Sequence, residues 1–301
     1  MFTLETSDVT NGNIAAKRKG PAMSISLKRL SVSDHKVSLP QVLNDFRHKL
    51  NASSPLAYHG SLFLIVGCVA TLLLATFDPT VIGGINRWIK PAKFFLSIAI
   101  YVATMGWLLR SISSEVFRRR MNRAVLFTMG MEAFIITLQA ARGTPSHFNE
   151  TTMLNGLLYS LMGVFAIAQI PIAMIVFYRL QKERTRIPFT YLRGMQIGLA
   201  LFILSCIEGA FMSVHGSHTV GGADGEVGLA LVNWSLRHGD LRIAHFVGMH
   251  ALQIFPLLAF LISKRNQRTL ELYGVMGLFL LVNAALFLQA YAGRSLFLMF
   301  P

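Results

Sequence analysis

Two glutamates and two histidines, Glu132, Glu208, His245 and His250, sit inside stretches that are otherwise almost wholly apolar. A charged side chain at the centre of a bilayer costs roughly 2.5–3.5 kcal/mol even on the mildest insertion scale, so each of the four needs a partner. Glu and His together can do two kinds of chemistry in such a setting. At one depth they exchange a proton; alternatively, imidazoles oriented by carboxylates ligate haem iron, copper or another transition metal.

Depth, counted along each apolar run, places Glu132 and His250 near the same midplane level and predicts that they are neighbours. The same count puts Glu208 and His245 together nearer the outer boundary, as a second level. His245 and His250 are five residues apart, about 140° around a helix, so they point at different neighbours. Each meets its own carboxylate if the sixth apolar run lies between the third and the fifth.

The stretch LQAARGTPSHFNE (138–150) ends the third run with a cluster of polar groups. Gln139 follows Glu132 by seven residues and returns to the same helix face, extending a polar stripe to Arg142 and on to His147. Gly143 and Pro145 stop the helix. Two readings stand side by side: a capped helix end with an interfacial Arg, or the mouth of a buried site. On the second, Glu132, Glu208, Arg142 and Gln139 are the candidate catalytic groups.

Six of the nine histidines, His147, His215, His218, His238, His245 and His250, fall in the outer loops or the outer half of a run. A haem would take His245, His250 and His147; a transition metal would take its ligands from His147, His215, His218 and His250. No HExxH, ExxH or CxxCH spacing supports either cofactor by motif. Cys68 and Cys206 lie inside apolar runs and read as packing residues.

The elements that must carry these groups are transmembrane helices. The chain has 301 residues, 53% hydrophobic and 14% charged, whereas a soluble domain carries about 25% charged residues. Seven apolar runs reach the ~20 residues needed to cross the hydrocarbon: 58–77, 93–110, 123–142, 155–178, 190–212, 241–263 and 270–291. The expected fold is therefore all-α, a polytopic bundle of seven transmembrane helices over residues 58–301, with the lipid bilayer as its first partner.

The formal charge of +14 invites a nucleic-acid reading, but the 28 Lys and Arg residues are distributed otherwise. Through the tail and successive loops they number 8, 3, 5, 1, 5, 2, 3 and 1, a strict alternation of high and low. That is the positive-inside pattern, which excludes nucleic acid as the explanation and puts the N-terminus in the cytoplasm. The C-terminus is then outside, and the inner (plasma) membrane is the expected location. RRRMNR (118–123) and RLQKERTR (179–186) read as cytoplasmic loops. Residues 1–57, basic and Ser-rich with no apolar signal core, read as a disordered cytoplasmic tail.

Two further outer segments carry candidate functions. VIGGINRWIKPAKFF (81–95) presents Arg87, Trp88, Lys90 and Lys93, either an interfacial anchor or a holder for an anionic headgroup or substrate. The 213–240 loop, rich in Gly and His, is long enough to be a lid; its glycines are not followed by the GK[ST] of a phosphate loop. Three functions fit these residues: a metal- or haem-dependent redox protein, a proton-coupled carrier or sensor of a small solute, quinone or lipid, and a structural membrane subunit.

Overall fold

The chain folds as an all-α bundle with seven helices long and apolar enough to cross a membrane. The structure is a computed structural model that describes residues 39–226, 228–265 and 269–297. A leading helix α1 (Leu39–Ser53) precedes α2 (Pro55–Phe77), α3 (Ile89–Leu109) and α4 (Glu115–Ala141). There follow α5 (Met153–Ile167), α6 (Gln169–Lys182), α7 (Phe189–His215), α8 (Leu241–Arg265) and α9 (Thr269–Tyr291). The 78–88, 142–152 and 216–240 connections lie at one end, the loop-rich end; the 110–114 and 183–188 turns lie at the other.

The spans are longer at their ends than apolarity alone predicts. RRRMNR, expected as loop, lies within α4, because Ser114 caps that helix by accepting a hydrogen bond from the Phe117 amide at 3.4 Å. Residues 39–53, expected as disordered tail, form α1, whose Phe46 stacks on Trp107 with ring centroids 4.9 Å apart. Residues 1–38 lie outside the described residues. Ser54 bonds the Gly106 carbonyl at 3.1 Å, so the start of α2 is fastened to the end of α3.

The expected fourth span is two helices that meet at Ala168. Pro171, with no N–H to give the preceding turn, accounts for the break. Gln169 fills it: its amide receives Tyr101 Oη at 2.9 Å and donates to Thr128 at 2.8 Å and to the Phe165 carbonyl at 3.1 Å. One side chain thereby ties α3, α4 and the α5–α6 junction at mid-bundle.

The core runs through α3 and α7, where Met105, Leu108, Met195, Leu199 and Phe202 are buried. α7 and α8 approach most closely. A Cβ added at Gly194 would meet Ala259 Cβ at 2.2 Å and the Phe255 carbonyl at 2.6 Å, so glycine is required for that contact. Phe63 and Val66 on α2 and Leu278 and Leu281 on α9 are exposed, as faces turned to lipid require. α8 packs chiefly on α7 and α9, and α4 on α3 and α5, so α8 is not inserted between α4 and α7.

Candidate functional site

The 138–150 stretch folds into a tightly bonded helix end. Gln139, fully buried, donates to Asn155 Oδ1 at 3.2 Å, and Arg142 donates to Gln139 Oε1 at 2.5 Å and Asn155 Oδ1 at 3.0 Å. Asn149 donates to Thr144 and Pro145, both at 2.8 Å, and accepts from Thr151. Gln139 and Arg142 are thus committed to closing α4 on α5. What the stretch delivers inward is His147. Its Nδ1 meets Ser146 Oγ at 3.1 Å, and its ring lies against Phe94 at 5.7 Å and Tyr159 at 6.3 Å. Phe148 holds a left-handed φ of 54°, rare for a bulky residue, and packs on both Tyr159 and His218. Burial, and then the neighbouring Lys90 and His218, hold the His147 pKa well below the ordinary imidazole value, so the ring is neutral.

Lys90 is the hub. It stands in the first turn of α3, within electrostatic reach of Glu132 on α4, Asp224 in the 216–240 loop, Lys93, and Arg242 on α8. Its partner in sequence, Arg87, is spent elsewhere. Asp78 accepts Arg87 Nε at 2.5 Å, Trp88 Nε1 at 2.8 Å and Thr80 Oγ1 at 2.7 Å, bonds led by Thr80 that hold its carboxyl far below the usual range. This clasp closes the β1 (Val81–Ile82) and β2 (Ile85–Asn86) hairpin, whose turn needs positive φ at Gly83 and Gly84.

The 216–240 loop folds over the same end. A two-residue pair of strands, β3 (Thr219–Val220) and β4 (Gly239–Asp240), pins its ends together. Asp240, 1% exposed, takes Arg242 Nε at 2.9 Å and the Ser235 amide at 2.8 Å. Asp224 takes His218 Nδ1 at 3.0 Å, the Thr219 amide at 2.9 Å and Ser217 Oγ at 2.9 Å. Those bonds outweigh the cost of burial and hold the Asp224 carboxyl well below its ordinary pKa. Asn233, at a left-handed φ of 55°, reaches the Gly83 carbonyl at 3.0 Å, and Lys93 Nζ reaches the Val232 carbonyl at 3.2 Å. A cleft lined by His218, Thr219, Glu226, Asn233 and Arg242 opens between these segments.

Among the described residues, four buried oxygens in the loop-rich half have no hydrogen-bond partner: Glu132 Oε2, Tyr159 Oη, Glu208 Oε2 and Gln289 Oε1. Glu132 is 6% exposed. A buried unpaired polar atom costs on the order of 1–3 kcal/mol, so each is a point where a further polar group would be stabilising.

The expected pairing of Glu132 with His250 is not formed. His250 Nδ1 bonds the Phe246 carbonyl of its own helix at 2.9 Å and its ring lies on Phe246 at 4.3 Å, while the charge facing Glu132 is Lys90. The order of helices explains this, since α8 is not the neighbour of α4. Glu208 and His245 are not hydrogen-bonded to each other either: His245 Nδ1 bonds the Ser205 carbonyl at 2.7 Å, and Glu208 Oε2 is left without a partner. Of the four proposed metal ligands, His147 and His218 come together around Phe148, whereas His215 stacks on Phe211 and His250 on Phe246. Among the described residues no group of three or more His, Cys, Asp or Glu is arranged to hold a metal ion.

Sequence reasoning left Tyr159 and Phe94 out, and did not choose for Lys90 between an interfacial anchor and an anion holder. Lys90 and Lys93, three apart and so on one helix face, were the available signal for the second point; nothing in the sequence distinguishes Tyr159. No family model, curated protein or solved structure matches the chain.

Proposed function

We propose that this chain is a proton-coupled membrane carrier or sensor that takes a small solute or lipid group at the loop-rich end, and that this end faces away from the cytoplasm. The observation that carries the reading is Glu132. It is a buried carboxyl with an unpartnered oxygen, facing an amine, Lys90, with which it forms no hydrogen bond or ion pair. A carboxyl so placed gains or loses its proton according to what else occupies the space beside it. Neutral His147 and Tyr159, whose rings lie 6.3 Å apart, offer a donor and an acceptor at the loop-rich end, where His218 of the 216–240 loop packs on Phe148. The scattered positions of His215 and His250 weigh against a haem or metal centre built from the outer histidines.

The test pairs a stability screen with metal analysis. Purified protein in uncharged detergent is screened against carboxylates, phosphates, amines and sugars, and its optical spectrum and metal content are recorded. A solute whose stabilisation changes with pH and is lost in Glu132→Gln supports the proposal. Near-stoichiometric metal released by His147→Ala would overturn it in favour of a redox centre, and a full screen without any response would favour a structural subunit.

A further inference from the structure

We propose that the group received at this site is an oxyanion, a carboxylate or a phosphate, held by Lys90 and Lys93 beneath the 216–240 loop. The inference rests on the site described under Proposed function and names the chemistry of its ligand.

The charge inventory carries it. Lys90, Lys93 and Arg242 converge from α3 and α8 within electrostatic reach of one another. Like charges gathered at a low-dielectric bundle end repel strongly unless an anion lies among them. The acidic groups nearby are already committed. Asp240 is saturated by Arg242 and the Ser235 amide, and Asp224 by His218, Ser217 and the Thr219 amide. Arg87 is neutralised by Asp78. Among the described residues neither Lys90 nor Lys93 forms an ion pair; Lys90 has no hydrogen bond there, and the bond of Lys93 is to a neutral carbonyl. Of the carboxyl groups in reach of the two lysines, Glu132, Asp224 and Asp240, only Glu132 has an oxygen without a partner, so the two amines lack acceptor oxygens of their own.

The second observation is independent of the lysines. The unpartnered Tyr159 hydroxyl is a further donor, and Glu132, when protonated, is another. Ammonium, phenol and carboxylic acid together present N–H and O–H groups, the complement of an oxygen anion. The titratable groups facing Lys90 are Arg242, Lys93, Glu132 and Asp224, and those facing His147 are Lys90 and His218. An anion entering this set is favoured by a proton on Glu132, because the carboxylate would otherwise compete with it for Lys90.

The probes are inorganic phosphate and acetate, each compared with chloride at equal ionic strength, on protein in uncharged detergent. Phosphatidylglycerol and phosphatidylcholine nanodiscs form the lipid arm. Choline and glucose serve as cationic and neutral controls. The expected result is an unfolding midpoint at least ~2 °C higher with one of the anions or with the anionic lipid. The gain should vanish in Lys90→Gln and Lys93→Gln, persist in Lys90→Arg, and persist in Arg237→Gln, which removes an exposed cation of the same loop. A gain with phosphate or acetate in detergent identifies a free anion; a gain confined to phosphatidylglycerol identifies a headgroup. Should the glutamine variants not fold, acylation of wild-type lysines read by mass spectrometry replaces them, and the anion should protect Lys90 and Lys93 selectively.

No anion response, or a response indifferent to both lysines, overturns the inference. Stabilisation by choline or glucose that depends on Glu132 would overturn it too while leaving the proposed function standing. Silence of every solute would count against both.

Discussion

Lys90 and Glu132 face each other from α3 and α4 within electrostatic reach, yet no hydrogen bond or ion pair joins them. The amine is half-buried and the carboxyl is 6% exposed. Removing either one alone strands the other in the bundle end. A double-mutant cycle of Lys90→Gln and Glu132→Gln should therefore show coupling of about 0.5–3 kcal/mol in unfolding stability, whereas Glu132→Gln with His250→Gln should be additive within about 0.5 kcal/mol. Coupling found only in the His250 cycle would restore the midplane pair that the structure does not form.

His147 sets a pH dependence. Its folded pKa is depressed by burial and by the neighbouring Lys90 and His218. Below the unfolded value of about 6.5 the unfolded chain takes a proton that the folded chain refuses, so this group costs stability as pH falls, by at most about 1.4 kcal/mol per pH unit. Unfolding midpoints from pH 7.5 to 5.5, taken as roughly one unit either side of that value, should fall less steeply in His147→Phe than in the wild type. Equal slopes would show that His147 titrates normally.

The spans were legible in the sequence and their neighbours were not. Seven apolar runs and their order follow from hydropathy and the 1.5 Å rise, and the helices lie where those runs predicted. Which helix stands beside which is decided by side-chain packing between spans, such as Gly194 against Ala259, and that leaves no periodic trace. Pairing Glu132 with His250 therefore needed a helix order that the packing does not adopt. Arg142 and Gln139 drew attention for a sound reason, being polar at a span end, but a helix end spends such groups on its own closure. Lys90 was visible as one of three cations that could anchor the chain or hold an anion, and only the folded chain shows that Arg87 is bonded to Asp78 while Lys90 faces Glu132 and Asp224.

The α7–α8 seam sets a packing limit. Gly194→Ala places a methyl 2.2 Å from Ala259 Cβ and 2.6 Å from a backbone carbonyl, which side-chain rotation alone does not relieve. The expected loss is about 1–3 kcal/mol, read as a lower unfolding midpoint. The same change at Gly163, where no atom lies within 4 Å, should be neutral or mildly stabilising. Matching effects at the two sites would show that the seam is looser than this packing.

The alternation of Lys and Arg counts predicts the orientation. Reporter fusions after Ser113 and Glu183 should read cytoplasmic, and fusions after His147 and Gly222 should read outside. The reverse pattern would open the Lys90 site to the cytoplasm instead.

The most direct measurement is the infrared difference spectrum between free protein and protein saturated with the best solute of the stability screen. If Glu132 exchanges a proton at an occupied site, the spectrum carries a buried carboxyl band that disappears in Glu132→Gln and survives in Glu208→Gln. A spectrum without a carboxyl band, or one whose band persists in Glu132→Gln, would contradict a proton-coupled site at Lys90 and Glu132.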